Sequence, residues 1–137
     1  MGYVYYGPCP PWLHIGTSIG VRLTAELSLA TTQHPNALVL EAVGEIDLAT
    51  APELQQRLMA AVTAGDTVLD LVAVGFIDST GLRVLISAHE AAESAGRRFG
   101  LLVAEGPVTK LLRITGVDEQ LKVFTALDDA LGDAAAD

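Results

Sequence analysis

The residues in this chain best suited to a covalent event are Asp78-Ser79-Thr80-Gly81. The apolar stretch Gly75-Phe76-Ile77 leads into them and Leu82 follows. This arrangement reads as a helix N-terminus with polar capping side chains, with Ser79 as the natural N-cap, its oxygen accepting from the unpaired amides of the first turn. The same geometry would leave a serine hydroxyl at a sheet edge beside amides that favour an anion. A phosphate on Ser79 could be accepted there without unfolding the helix. Capping alone also accounts for the residue types, so both readings stand at this point.

Other chemistry has less support. Nucleophilic catalysis needs a nucleophile, a base and an orienting group. His14 falls in an aperiodic N-terminal stretch, His34 in a turn and His89 on a helix stripe, a spacing that suggests neither a triad nor a metal cluster. Glu45 and Asp47 end one strand and Asp78 ends the connection after another. Crossovers could bring these carboxylates to one end of a sheet, where paired carboxylates can act as acid and base. The competing reading is that Asp47 and Asp78 bond local amides as loop residues. Neither G-x-x-x-x-G-K-S/T nor G-x-G-x-x-G occurs, so nucleotide binding has no motif behind it. Cys9 is the only cysteine, which excludes an intramolecular disulfide and a cysteine metal site. No cofactor and no metal are expected.

Composition narrows the partners. The 137 residues suit one domain, and 50% are hydrophobic, which fits a globular chain with a real core. Asp and Glu total 17 against 8 Lys and Arg, a formal net charge of −9. No basic cluster exceeds Arg97-Arg98. Nucleic acid and anionic membrane surfaces both need a basic footprint, so neither is an expected partner. No apolar run is long enough to span a bilayer. Residues 1–20 lack the basic start and continuous apolar stretch of a signal peptide. A cytoplasmic protein is the expectation.

The elements that must position Ser79 follow from periodicity. Residues 1–20 hold Tyr3, Tyr5, Tyr6 and Trp12 among three prolines and show no strand or helix period; they read as an N-terminal extension. Residues 22–30 alternate, with Leu23, Ala25, Leu27 and Leu29 on one face, as in a half-buried strand. His34-Pro35-Asn36 reads as a turn, followed by a strand over 37–46, together a hairpin. Thr50-Ala51-Pro52-Glu53 resembles a capping box, with Thr50 as N-cap. A helix follows, carrying Leu54, Leu58, Ala61 and Val62 and ending at Gly65. A strand is expected over 67–72 and a helix over 80–95, with a stripe of Leu82, Leu85, Ile86, His89 and Ala92. Phe99–Ala104 reads as a strand covered on both faces or lying centrally, residues 107–114 as a helix, 121–124 as an edge strand and 126–131 as a last helix. Residues 133–137 read as a frayed tail. Strands alternating with helices imply a mixed sheet with parallel crossovers.

Three segments resemble the STAS family, in particular bacterial anti-sigma factor antagonists. Gly44-Glu45-Ile46-Asp47-Leu48-Ala49-Thr50-Ala51 is similar to the family's G-E-L/I-D-x-x-T-A stretch. Phe76-Ile77-Asp78-Ser79-Thr80-Gly81-Leu82 resembles its D-S-S/T-G-L phosphorylation motif. Leu111-Leu112, Ile114-Thr115-Gly116-Val117 and Val123-Phe124 resemble its closing pattern. The segments arrive in the family's order, within a STAS domain over 21–132. The resemblance implies an α/β fold, a STAS-like mixed β-sheet of four to five strands with helices mainly on one side. It also implies a non-catalytic regulator acting by partner switching. The unphosphorylated form would bind an anti-sigma factor with serine kinase activity and release a sigma factor. Phosphorylation of Ser79 would reverse this, and a metal-dependent serine phosphatase would restore the serine. Glu45, Asp47, Asp78, Thr80, Gly81 and Arg83 are the implied partner-binding residues, although Arg83 stands where several members carry a small residue. The alternative is a STAS subunit of a larger stressosome-like or transport assembly, with Ser79 only a helix cap.

Overall fold

The computed structural model describes residues 27–135. The extension over 1–20 and the start of the first strand, residues 22–26, lie outside the described residues. The elements run β1 (Leu27–Gln33), β2 (Leu38–Ile46), α1 (Ala51–Ala64), β3 (Thr67–Ile77), α2 (Ser79–Ala95), β4 (Phe99–Leu102), α3 (Pro107–Thr115), α4 (Val117–Gln120), β5 (Lys122–Phe124) and α5 (Leu127–Ala135). The strands form one sheet in the order β1-β2-β3-β4-β5. β1 pairs antiparallel with β2 through the expected turn, and the other neighbours are parallel. Parallel neighbours require crossovers, and helices α1 to α4 supply them.

The apolar patterns settle which face each helix covers. Leu40, Ala42 and Ile46 of β2, Leu69 and Leu71 of β3 and Leu101 of β4 point to one side. There they meet Leu54, Leu58 and Val62 of α1, Leu85, Ala88 and Ala92 of α2 and Leu112 of α3. A smaller core lies on the opposite face, where Val39, Val68 and Leu102 pack with Ala130, Leu127 and Leu131 of α5. Among the described residues, helices therefore back the sheet mainly on one side, as expected, with α5 alone on the other. No helix among the described residues is long and apolar enough to cross a membrane.

The main departure from the sequence expectation is β3, which extends to Ile77 rather than stopping at residue 72. Two bulges explain the difference. Pairing steps from Glu41–Asp70 to Val43–Ala73 and from Gly44–Val74 to Glu45–Phe76, so β3 spends one extra residue at each step. Its inward residues become Leu71, Val74 and Ile77, a spacing of three that hides a strand from a search for alternation. β1 also runs on to Gln33, since its pairing with β2 continues to Leu38. β4 stops at Leu102, α5 reaches Ala135, and α4 forms a single short turn that periodicity did not suggest. Gly96 and Gly116 end α2 and α3 in the left-handed conformation, φ +71° and +78°, as C-terminal glycines do.

The second bulge aims the segment that follows. Without its extra residue, Ile77 would turn to the outer face. Deleting Gly75 is therefore expected to cost at least about 2 kcal/mol, the burial of one large aliphatic side chain. Nothing lies within 4 Å of a β-carbon placed on Gly75, so Gly75→Ala should stay within about 0.5 kcal/mol of the parent. Urea unfolding of both variants checks this, and a deletion as mild as the alanine would show that the bulge does not hold Ile77 in the core.

Candidate functional site

β2 and β3 are parallel and end in register, Ile46 beside Ile77. The chain leaves both strands at the same end of the sheet, the end where open α/β sheets present their sites. Residues 47–50 and 78–81 are thereby brought next to each other, and a hydrogen bond from the Asp78 amide to the Ile46 carbonyl (3.1 Å) ties the two exits.

The first exit is a self-contained turn. Asp47 Oδ1 accepts from the amides of Ala49 (2.9 Å) and Thr50 (3.1 Å). The buried Thr50 hydroxyl accepts from the Asp47 amide (2.9 Å) and donates to the Glu45 carbonyl (2.9 Å). This corrects the capping-box expectation. Thr50 occupies the N-cap position of α1 but makes no side-chain cap bond. Its hydroxyl is already engaged by the turn, and its backbone is helical (φ −101°, ψ −19°) rather than extended, which turns the side chain away from the free amides.

The second exit carries the serine motif, and here too the cap differs from expectation. Asp78, not Ser79, is the N-cap of α2. Its backbone is extended (φ −110°, ψ −172°) and its Oδ1 accepts from the Gly81 amide at 3.0 Å. Asp78 precedes the first helical residue, where a carboxylate acceptor suits the helix dipole. Ser79 thus becomes the first residue of the helix, exposed, with its side chain not used by the cap. Thr80 is half-buried beside it. Gly81 is buried, and a β-carbon there would come within 2.6 Å of both Ile46 Cγ2 and Ile77 Cγ1. The glycine lets the first turn of α2 sit directly on the ends of β2 and β3.

The carboxylates of Asp47 and Asp78 are thus held by backbone amides, as the loop reading expected. Glu45 lies on the outer sheet face opposite Phe76 and is exposed. Arg83 is exposed on α2 and lines a shallow groove between α1 and α2. Leu48, Pro52 and Gln55 form one wall of that groove; Thr80, Arg83 and Ser87 form the other. The structure therefore gathers Asp47, Asp78, Ser79, Thr80, Gly81 and Arg83 around the two helix starts, with Glu45 on the adjoining sheet face. Sequence reasoning missed Leu48, which is 74% exposed. The available signal was a large apolar residue in a polar turn, out of phase with both neighbouring elements. His89 lies on α2, its Nε2 3.4 Å from Glu93 Oε2 one turn on.

Comparison with known proteins places this geometry in context. A family model described as "STAS domain" matches residues 28–130. The anti-sigma-F factor antagonist RsfB of Mycobacterium tuberculosis is 35% identical over 108 residues, 77% of this chain and 87% of the relative. An anti-sigma-B factor antagonist of Staphylococcus epidermidis is 27% identical over 99 residues, 71% of this chain and 92% of the relative. Among solved structures, an anti-sigma factor antagonist from Mycobacterium paratuberculosis superposes with a TM-score of 0.74 at 30% identity, covering 80% of this chain and 95% of that one. Unphosphorylated SpoIIAA, at 15% identity and a TM-score of 0.66, shares the fold.

The three motif positions should separate in a stability measurement. Asp78→Ala should cost about 0.5–2 kcal/mol through the lost cap. Gly81→Ala should cost about 1–3 kcal/mol through overpacking against Ile46 and Ile77. Ser79→Ala should change stability by no more than about 0.5 kcal/mol, since the side chain is exposed and caps nothing. Chemical denaturation of the three variants checks the assignment. A Ser79→Ala loss as large as that of Asp78→Ala would return the cap to Ser79.

Proposed function

The chain belongs to the STAS domain family, and we propose that it is an anti-sigma factor antagonist switched by phosphorylation of Ser79. The observation that carries this reading is the exposed Ser79 hydroxyl at the start of α2, left unused by a cap that Asp78 supplies. Relatives named as anti-sigma factor antagonists, at 35% and 27% identity, support the general role.

The mechanism separates scaffold from signal. In the unphosphorylated form Ser79 presents a neutral hydroxyl next to Thr80, which with Arg83 and the apolar Leu48 lines the adjoining groove. This surface binds an anti-sigma factor that has serine kinase activity, and the sigma factor held by that anti-sigma factor is released. Phosphate transfer from ATP to the Ser79 oxygen ends the complex. The modification adds about −1.5 to −2 charges and three acceptor oxygens. Within this protein the anion sits at the N-terminus of a 17-residue helix, whose first amides and dipole favour it. At the interface, a dianion must be buried unpaired or set against like charge, which costs several kcal/mol. A metal-dependent serine phosphatase then restores the hydroxyl.

Asp47, Asp78 and Glu45 have non-catalytic roles in this reading. Asp47 and Asp78 hold the two loops in shape, and Glu45 with Arg83 contributes to partner recognition. Gly81 seats the loop on the ends of β2 and β3, and with Thr80 it shapes the surface offered to the partner. The protein acts without a cofactor and without turnover of its own, in the cytoplasm where sigma factors work.

Titration calorimetry of wild type, phosphoprotein, Ser79→Ala and Ser79→Asp against one anti-sigma kinase tests the switch. Wild type and Ser79→Ala should bind alike. The phosphoprotein should bind at least about a hundredfold more weakly, the equivalent of about 3 kcal/mol, with Ser79→Asp in between. Only wild type should accept label from ATP. Equal affinities across the four forms, or label on Ser79→Ala, would contradict the proposal.

A further inference from the structure

Among the described residues, only half of the sheet's outer face is covered. α5 packs over Val39, Val68 and Leu102, near the starts of β2 and β3. Toward the ends of the same strands, Val43, Val72 and Phe76 stand 44%, 50% and 47% exposed. These three are neighbours. Val43 pairs with Ala73, next to Val72 in the first bulge, and Phe76 pairs with Glu45, two residues along β2 from Val43. Isolated exposed hydrophobics are ordinary, but a contiguous set on one sheet face marks a surface that something covers.

We propose that the covering element is the chain's own N-terminal segment, residues 1–26, docked in cis with its aromatic side chains over Val43, Val72 and Phe76. Three observations favour this occupant. The first is position. The described chain begins at Leu27, which pairs with Gly44, and Gly44 pairs with Val74. The segment therefore joins the sheet in the rows that hold the patch, one strand away from Val43. Strands lie about 4.8 Å apart, so the patch is about 10 Å from the attachment point. Trp12 lies fifteen residues before Leu27, a reach of up to about 50 Å when extended.

The second observation is composition. Tyr3, Tyr5, Tyr6 and Trp12 are all the tyrosine and tryptophan in the sequence, and no Asp, Glu, Lys or Arg precedes Arg22. An aromatic stretch without Asp, Glu, Lys or Arg over 1–21, in a chain of net charge −9, is complementary to apolar surface. The third is the rim of the patch. Glu41 and Glu45 are exposed on the same sheet face as Val43. Two copies packed face to face would oppose these carboxylates to one another, a repulsive arrangement, whereas residues 1–21, which hold no carboxylate side chain, meet no such penalty. Tethering further favours the segment over a free partner, because its effective concentration at the face is of millimolar order.

Trp12 is the only tryptophan, so the full chain carries its own probe. Its fluorescence emission and acrylamide quenching are to be measured across a dilution series, with molecular mass followed by sedimentation. Parallel measurements on Phe76→Lys and Val72→Lys, each checked by circular dichroism for retained secondary structure, supply two independent disruptions of the patch. The expected result is blue-shifted, quencher-protected Trp12 emission in the monomer, unchanged on dilution. It should shift to the red and lose protection in whichever lysine variant folds. Solvent-exposed emission in the wild type would overturn the proposal, as would protection that both lysine variants leave intact. Protection that appears only with a dimer at rising concentration would assign the face to a second copy and overturn it equally.

Discussion

The seating of the first turn of α2 on the ends of β2 and β3 constrains everything around the serine. Gly81 lies so close to Ile46 and Ile77 that even a β-carbon would collide with both. That contact fixes where the helix starts, which in turn fixes which residue caps it. With Gly81 against the sheet, its amide comes within 3.0 Å of Asp78 Oδ1, and Ser79 is carried to the outside. The Asp78 amide meanwhile bonds the Ile46 carbonyl, so the helix start is tied to the exit of β2 as well as of β3. The order aspartate, serine, threonine, glycine has a division of labour in which one residue caps, one is presented, one flanks and one permits close approach.

Two irregularities in β3 serve this seating. β2 alternates regularly through Leu40, Ala42 and Ile46, whereas β3 reaches the same end of the sheet with two more residues between Asp70 and Phe76 than regular pairing allows. Bulges bend a strand and re-aim the side chains beyond them. Here they keep Ile77 in the core beneath Gly81 while leaving Val72 and Phe76 on the outer face. The serine loop and the exposed apolar face are thus two consequences of one departure from regular pleating.

Most of the fold was legible because its signals are local. The alternation through Leu27 and Leu29, the turn at His34-Pro35-Asn36, the helical spacing of Leu54, Leu58 and Val62, and the terminal glycines each report on a few neighbouring residues. The end of β3 was not legible, because a bulge replaces alternation with a spacing of three that matches neither strand nor helix. The caps were misread for a related reason. Thr50 and Ser79 are both good N-cap residues by type, and type alone cannot show that Thr50 is occupied by the Glu45 carbonyl and the Asp47 amide. Nor can it show that helix α2 begins one residue earlier than the pattern suggests. The motif was legible as a helix start, and α2 does begin there. Their division into cap, presented hydroxyl and packing glycine, and the exposed Leu48 beside them, required the structure.

Phosphate on Ser79, as proposed, changes the charge of a surface and leaves the scaffold beneath it intact. Hydrogen–deuterium exchange on the unphosphorylated and phosphorylated domain tests this most directly, because it reads the opening of α2, β2 and β3 residue by residue. The predicted result is unchanged protection through β2, β3 and the body of α2, with differences confined to the amides of residues 78–82. Loss of protection along the whole of α2 on phosphorylation would contradict it and make the switch an unfolding event.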